Sequence, residues 1–380
     1  MSGTPPQVLH IITGLQQGGA ESMLHKLLTE ARQQNPEIRQ SVYALGQSGV
    51  VGERLQAQGF EVRALGLSPR LGNPWVLRPL WQQLRRLPAG SVVQTWMYHG
   101  DLIGGLLARG AGQRRIVWNI RQSGIGPADI GRMTRWVVRL CARLSHWLPR
   151  RIITNARTAE AVHVAAGYAA SRFTWIGNGF DTQRFSFQPE GRRRLREQLG
   201  VAEQALLIGN VARNDPQKDL GNFVAMARLV HERHGNTRFL IAGRGVPSSA
   251  ELRAQIAAAG LEQAFLLLDE QQDVPTLMSA LDLFCLSSRA EGFPNVLGEA
   301  MACERPCASS DCGDAASVLG DPRWIAPIGD PAALADRVCA LLALPAALRQ
   351  QLGTGHRQRI QSSFSVASIW RDYLNLYRSL

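Results

Sequence analysis

The stretch Ala290–Glu304, AEGFPNVLGEAMACE, sets Glu291 and Glu299 on either side of a Gly-Phe-Pro-Asn turn and the start of an apolar run. Gly292 and Pro294 mark the turn, and NVLGEAMA supplies a helix with Pro294 at its first helical position. The run just before, LFCLSS (283–288), reads as a strand that delivers the loop to the helix. Unpaired N–H groups in the first turn of such a helix attract an anion. Glu291 precedes the helix and Glu299 lies about one turn inside it, so the two acids flank that anion position. An ionised carboxylate there can accept two hydrogen bonds from a vicinal diol, as on a sugar.

The same strand–turn–helix unit recurs in both directions. Strand candidates in the first half are residues 7–13, 40–45, 60–65, 91–96, 115–120, 151–156 and 172–177, with helical stretches such as AESMLHKLLTEARQQ between them. A polar passage, residues 181–204, reads as a linker followed by a surface helix. Alternation then resumes with ALLIGNVA, RFLIAG, FLLLD, LFCLSS and PCASS. This pattern implies an α/β chain of two doubly wound, Rossmann-like domains with parallel sheets. Ligands bind beyond the carboxyl ends of such strands, which places the expected site in a cleft between the domains. The last segment, SVASIWRDYLNLYRSL, carries Ile369, Tyr373, Leu376 and Leu380 on one helical face and is expected to dock.

A chain of 380 residues suits two domains. No signal-like N-terminus and no run of eighteen apolar residues is present, so a cytoplasmic chain that does not span a membrane is expected. The six cysteines include a group, Cys303, Cys307 and Cys312, without a nearby histidine or a Cys-x-x-Cys pair, and they read as buried thiols, not a metal site. The net charge is +12, and it is uneven. Met1–Asp181 holds 21 basic against 9 acidic residues, while the remainder has 21 of each. The first half therefore expects an anionic partner: nucleic acid, a phospholipid surface or a phosphate-bearing substrate.

Three further groups sit at strand ends. Arg213 and Lys218, in NVARNDPQKDL, follow a strand and precede a helix, where two fixed cations can neutralise a leaving diphosphate. Gly14, Gly18 and Gly19, in TGLQQGGAES, let backbone N–H groups approach an anion, although no Gly-x-Gly-x-x-Gly opens either domain. His99, in QTWMYHGD, can hold a hydroxyl or assist a proton. Each alone has a plainer reading, as a solvated charge, a turn or a cleft-edge histidine. Their joint placement at strand ends is what points to a site.

These residues resemble the retaining glycosyltransferases of family 4, which have the GT-B fold. GGAE (18–21), Arg213 with Lys218, EGFPNVLGEAMA and IGNGFDTQRF (176–185) carry the resemblance across essentially the whole chain. It implies an N-terminal acceptor-side domain (1–183), a C-terminal domain binding a nucleotide-diphosphate sugar (184–362), and a helix (363–380) crossing back to the first. Arg213 and Lys218 are then expected to hold the donor diphosphate, Glu299 the ribose, and Glu291 the sugar hydroxyls, with backbone help from Phe293, Pro294 and Asn295. Gly18 and Gly19 approach the donor from the other domain, and His99 contacts the sugar. The family needs no metal or prosthetic group and retains anomeric configuration. Three positions depart from its pattern: Glu304 and Asp269, where glycines are common, and Arg244, where an acid is frequent.

The acceptor side is then the basic side. In GRMTRWVVRLCARLSHWLPRR (131–151), Met133, Trp136, Val137, Leu140, Leu144 and Trp147 follow helical spacing, with Arg132, Arg135, Arg139 and Arg143 between them. The pattern suits a helix on an anionic lipid surface, and also one whose apolar stripe packs on the sheet while its arginines meet water or lipid headgroups. A peripheral enzyme of the inner membrane face, extending a lipid-linked or polysaccharide acceptor from a UDP-sugar or a GDP-sugar, is the favoured expectation. A sugar-nucleotide epimerase of the same fold needs a further acid and base. A glycosidase has no use for paired cations. A basic scaffold leaves the donor residues idle, and no nucleic-acid-binding motif is present.

Overall fold

The computed structural model describes residues 6–67, 73–127 and 129–380. The chain divides into two compact units, Met1–Gly179 together with Val366–Leu380, and Phe180–Ser365. The first unit holds β1 (Gln7–Ile12), β2 (Arg39–Ala44), β3 (Glu61–Ala64), β4 (Val92–Trp96), β5 (Ile116–Ile120), β6 (Arg151–Thr154) and β7 (Phe173–Trp175). They form one parallel sheet in the order β3-β2-β1-β4-β5-β6-β7. The second unit holds β8 (Leu206–Val211), β9 (Thr237–Ala242), β10 (Phe265–Leu268), β11 (Leu283–Leu286), β12 (Cys307–Ser310) and β13 (Ile325–Ala326), parallel in the order β10-β9-β8-β11-β12-β13.

Every residue of β1, β4, β5 and β11 is buried, as expected of parallel strands covered by helices on both faces. Twelve of the thirteen strands fall on the apolar runs read above. The two-residue β13 was not anticipated, because so short a strand has no periodicity to read. In each sheet the strand order reverses once, between β1 and β4 and between β8 and β11, and these switch points open the crevices in which ligands bind.

The C-terminal helix Val366–Arg378 belongs to the first unit and packs on the helix Gly19–Gln34. Its Trp370 Nε1 donates to Asn35 Oδ1 (3.0 Å), Asn119 Nδ2 donates to Tyr373 Oη (2.9 Å), and Tyr377 Oη donates to Gln94 Oε1. Ile369, Tyr373 and Leu376 are buried as the pattern required, and Trp370 and Tyr377 widen the buried face. No single helix among the described residues is long and apolar enough to cross a membrane.

The segment 131–151 departs from one of its two readings, the apolar stripe packed on the sheet. The helix Arg132–Leu144 buries Val138, Cys141 and Ala142, whereas Met133 (74%), Trp136 (65%), Leu140 and Trp147 are exposed. Only Val137 and Leu144 of the expected stripe meet the core, as partly buried neighbours. At about 100° per residue, the small side chains one position along the helix face the sheet instead.

Candidate active site

The second unit's switch point gathers most of the candidate residues. After β8 the chain makes a short turn, Pro216–Lys218, fixed by Asp215 Oδ1, which accepts from the Gln217 N–H at 2.9 Å. That bond, with Arg213 alongside, holds the Asp215 carboxyl below its usual range. Asp219 follows with φ +47°, a left-handed conformation unusual for a residue with a side chain, and caps the helix Leu220–Arg233. This kink turns Lys218 toward the loop after β11. Lys218 Nζ lies 2.6 Å from Glu291 Oε1, and both side chains are largely buried. Ser288 Oγ donates to the same carboxylate oxygen at 2.8 Å.

Backbone and side chains stitch these loops together. The Arg289 N–H donates to the Gln217 carbonyl (2.8 Å), Ser287 Oγ to the Lys218 carbonyl (3.1 Å), and Arg289 Nε to Asp219 Oδ2 (2.6 Å). From below, Ser310 Oγ donates to the Ser288 carbonyl (2.6 Å) and the Asp314 N–H to the Gly292 carbonyl (3.0 Å). Gly313 has φ +56°, and a Cβ there would stand 2.4 Å from the carbonyls of Glu291 and Gly292, so this position requires glycine.

The helix after the turn spans Asn295–Ala302, one residue later than expected. Pro294 is its N-cap and not its first helical residue: with ψ 85° it is non-helical, yet its carbonyl accepts from the Leu297 N–H at 3.1 Å. Phe293 anchors the turn. Its side chain is buried between Phe180 and Phe364, with ring centroids 6.0 and 5.8 Å away, which pins the turn to the body of the unit.

Arg213, Lys218, Glu291, Phe293, Asn295, Val296 and Glu299 line one cleft of about 560 Å³, together with Arg244 and Glu270. Arg244 pairs with Glu270 (3.0 Å), so the basic departure from the family pattern carries its own acid. Arg213 is exposed and held by Asp215 at 3.1 Å. A second cavity of about 690 Å³ holds Asp215, Asp219 and Glu251, a poor setting for an anion. The first cleft suits a diphosphate beside a helix start, with carboxylates for hydroxyls on both sides.

The first unit's switch point is built differently. Gly18 is the extended N-cap of Gly19–Gln34, and a Cβ there would sit 2.4 Å from Glu21 Oε2; at Gly19 a Cβ would meet nothing within 4 Å. His99 ends the turn Met97–His99 after β4, entered through Met97 at φ +64°. Burial pushes the His99 imidazole below its usual pKa, so it is neutral near pH 7. Asp101, two residues on, is buried and accepts from Thr95 Oγ1 at 2.5 Å. Sequence reasoning missed Arg121, just past β5. Its guanidinium is held by Asn178, Asn119 and Tyr373, all neutral, and the only advance signal is an arginine at a strand's carboxyl end. Cys303, Cys307 and Cys312 are buried, and burial pushes their thiols up.

The sequence and the fold are similar to those of known proteins. Residues 17–184 match the family described as Glycosyltransferase Family 4, and residues 202–344 that described as Glycosyl transferases group 1. EpsF of Bacillus subtilis strain 168 is 26% identical, over 82% of this chain and 80% of its own. The lipopolysaccharide core biosynthesis mannosyltransferase LpcC of Rhizobium leguminosarum bv. viciae is 27% identical, over 69% of this chain and 78% of its own. Among solved structures, HepE of Anabaena in complex with UDP superposes with a TM-score of 0.80 at 22% identity, covering 98% of this chain and all of that one. Two matched halves, two parallel sheets with one reversal each, and the Lys218–Glu291 loop pair lead to one conclusion: the chain is a glycosyltransferase of family 4, with the GT-B fold.

Proposed function

We propose that the enzyme transfers a hexose from a UDP-sugar, or alternatively a GDP-sugar, to a lipid-linked or polysaccharide acceptor of a bacterial surface glycan, with retention and without a metal, at the inner face of the cytoplasmic membrane. The observation that carries the donor side is the single cleft holding Lys218, Glu291, Asn295 and Glu299. Support for UDP comes from HepE, solved also with UDP-glucose, and support for the glycan class from LpcC and from the capsular polysaccharide biosynthesis glycosyltransferase CapM of Staphylococcus aureus.

An ammonium has three donors. Lys218 uses one on Glu291, leaving two for the β-phosphate, and Arg213, exposed and paired with Asp215, exchanges that partner for the diphosphate. Glu291 keeps its Oε2 for a sugar hydroxyl, and Glu299 takes the ribose diol. As the anomeric C–O bond to the β-phosphate breaks, the acceptor oxygen bonds to the same face of that carbon. The acceptor's proton passes to the departing phosphate oxygen. The cations stabilise the charge that develops there, and His99 holds the sugar.

A thermal-shift panel of UDP, GDP and their sugars tests the donor. UDP and a UDP-hexose are expected to raise the melting temperature, and NMR of the product to show the donor's anomeric configuration. No response to any nucleotide diphosphate, or an inverted product, overturns the reading.

A further inference from the structure

We infer that one face of the seven-stranded sheet is a docking surface for an anionic lipid bilayer, formed by three helical segments and not by one helix. This deepens the membrane location proposed above and rests on that reading for its purpose. The segments Pro74–Arg86, Gly105–Gly110 and Arg132–Leu144 connect β3 to β4, β4 to β5 and β5 to β6. Their inner residues Leu80, Leu84, Ala108, Val138, Cys141 and Ala142 share one buried cluster, so all three lie on the same face. Their outer sides carry Trp75, Leu106, Met133, Trp136 and Leu140, and Trp147 follows just beyond. Ten large apolar side chains are exposed among the described residues, and six of them are here.

The charge of the molecule is concentrated in the same span. Residues 62–159 contain 16 arginines and two acids, Asp101 and Asp129, while the rest of the chain has 26 basic and 28 acidic residues. Of the two acids, Asp101 is buried. The whole excess of positive charge therefore belongs to the span that builds this face.

A second copy of the chain would meet like charge on this surface. A nucleic acid would satisfy the arginines but leave Met133 and Leu140 unused, since neither stacks on a base. A bilayer interface takes both: tryptophan, methionine and leucine enter the headgroup boundary while arginines reach the lipid phosphates. Arg139 lies over the Trp136 ring, 5.3 Å from its centroid, with its charge beside the apolar tip. The face also reaches the reaction. Cys141 Sγ donates to the Tyr98 carbonyl at 3.6 Å, joining Arg132–Leu144 to the turn that carries His99.

The test is co-sedimentation of the full chain with vesicles of phosphatidylcholine alone or containing one quarter phosphatidylglycerol, at 0.1 M salt. Binding to the anionic vesicles is expected, weakening with salt. Combined Arg132→Gln, Arg139→Gln and Arg143→Gln is expected to lower it on the order of 100-fold, at about fivefold per arginine. Combined Met133→Ser, Trp136→Ser and Leu140→Ser is expected to lower it at least tenfold. Both variants should keep the wild-type melting temperature and response to UDP, which separates lost docking from misfolding. Equal binding to both vesicle types, serine variants that bind like wild type, equally tight binding of duplex DNA, or a dimer that the serine changes dissolve each overturns the inference. Vesicle binding that persists in a chain indifferent to every nucleotide leaves the docking face standing and removes the donor reading alone.

Discussion

The two switch points are topological twins made from different materials. Between β8 and β11 the crevice is lined by charge already engaged: Lys218 with Glu291, Arg213 with Asp215, Arg244 with Glu270. Between β1 and β4 it is lined by glycine and a neutral imidazole. The first arrangement fixes a strongly charged group and stabilises developing charge. The second makes room and presents weak donors. In the transfer proposed above, one fold used twice divides the work by what stands at its strand ends.

The sharpest way to break this comparison is to remove one group from each crevice. Lys218→Met is expected to lower kcat/KM by on the order of a thousandfold, as loss of a preorganised charge does. His99→Ala is expected to cost only about tenfold, the loss of one neutral hydrogen bond to the sugar. Steady-state kinetics on both variants decides; equal losses would mean that the division of labour is wrong.

Acid weighs more on the first unit, where burial lowers His10, His25, His99 and His163, than on the second, where it lowers His356. His10, buried in β1 and accepting from Trp96 Nε1 at 3.2 Å, is pushed by burial down to about 4, and His163 in the same unit is lowered likewise. Below about pH 6.5 the unfolded chain takes up protons that the folded one refuses, so stability falls as pH falls. For His10 the loss amounts to about 3 kcal/mol by pH 4. Melting curves should shift down across that window, with less shift in His10→Asn. A flat profile would place the acid-sensitive groups elsewhere.

Glycine substitutions give the smallest contrast. A Cβ at Gly298 would stand 2.1 Å from the Phe180 ring, so Gly298→Ala is expected to destabilise by about 1–3 kcal/mol through overpacking. Gly19→Ala meets nothing in the fold and should leave the melting temperature unchanged while weakening donor affinity. If Gly19→Ala melts early instead, its glycine serves the fold and not a ligand.

Much of this was legible beforehand. Parallel strands buried on both faces announce themselves as β-branched runs, and a helix start after Gly-Phe-Pro is visible within one residue. Glu304, flagged where glycine is common, has φ +62°, the backbone that glycine would favour. What was hidden depends on distance and rotation. The Lys218–Glu291 pair joins residues 73 apart in sequence, Met97 and Asp219 take left-handed turns that their residue types do not advertise, and the rotation of Arg132–Leu144 about its axis is set by which neighbours have room.

The return of the C-terminal helix to the first unit has a consequence in time. The second unit is one uninterrupted segment, Phe180–Ser365, while the first needs Tyr373 on Asn119 and Tyr377 on Gln94 to finish its interior. Residues 366–380 leave the ribosome after the whole of the second unit. The first unit, begun earlier, therefore closes only after the second is complete, and a nascent chain that has reached Ser365 carries one finished unit and one still open.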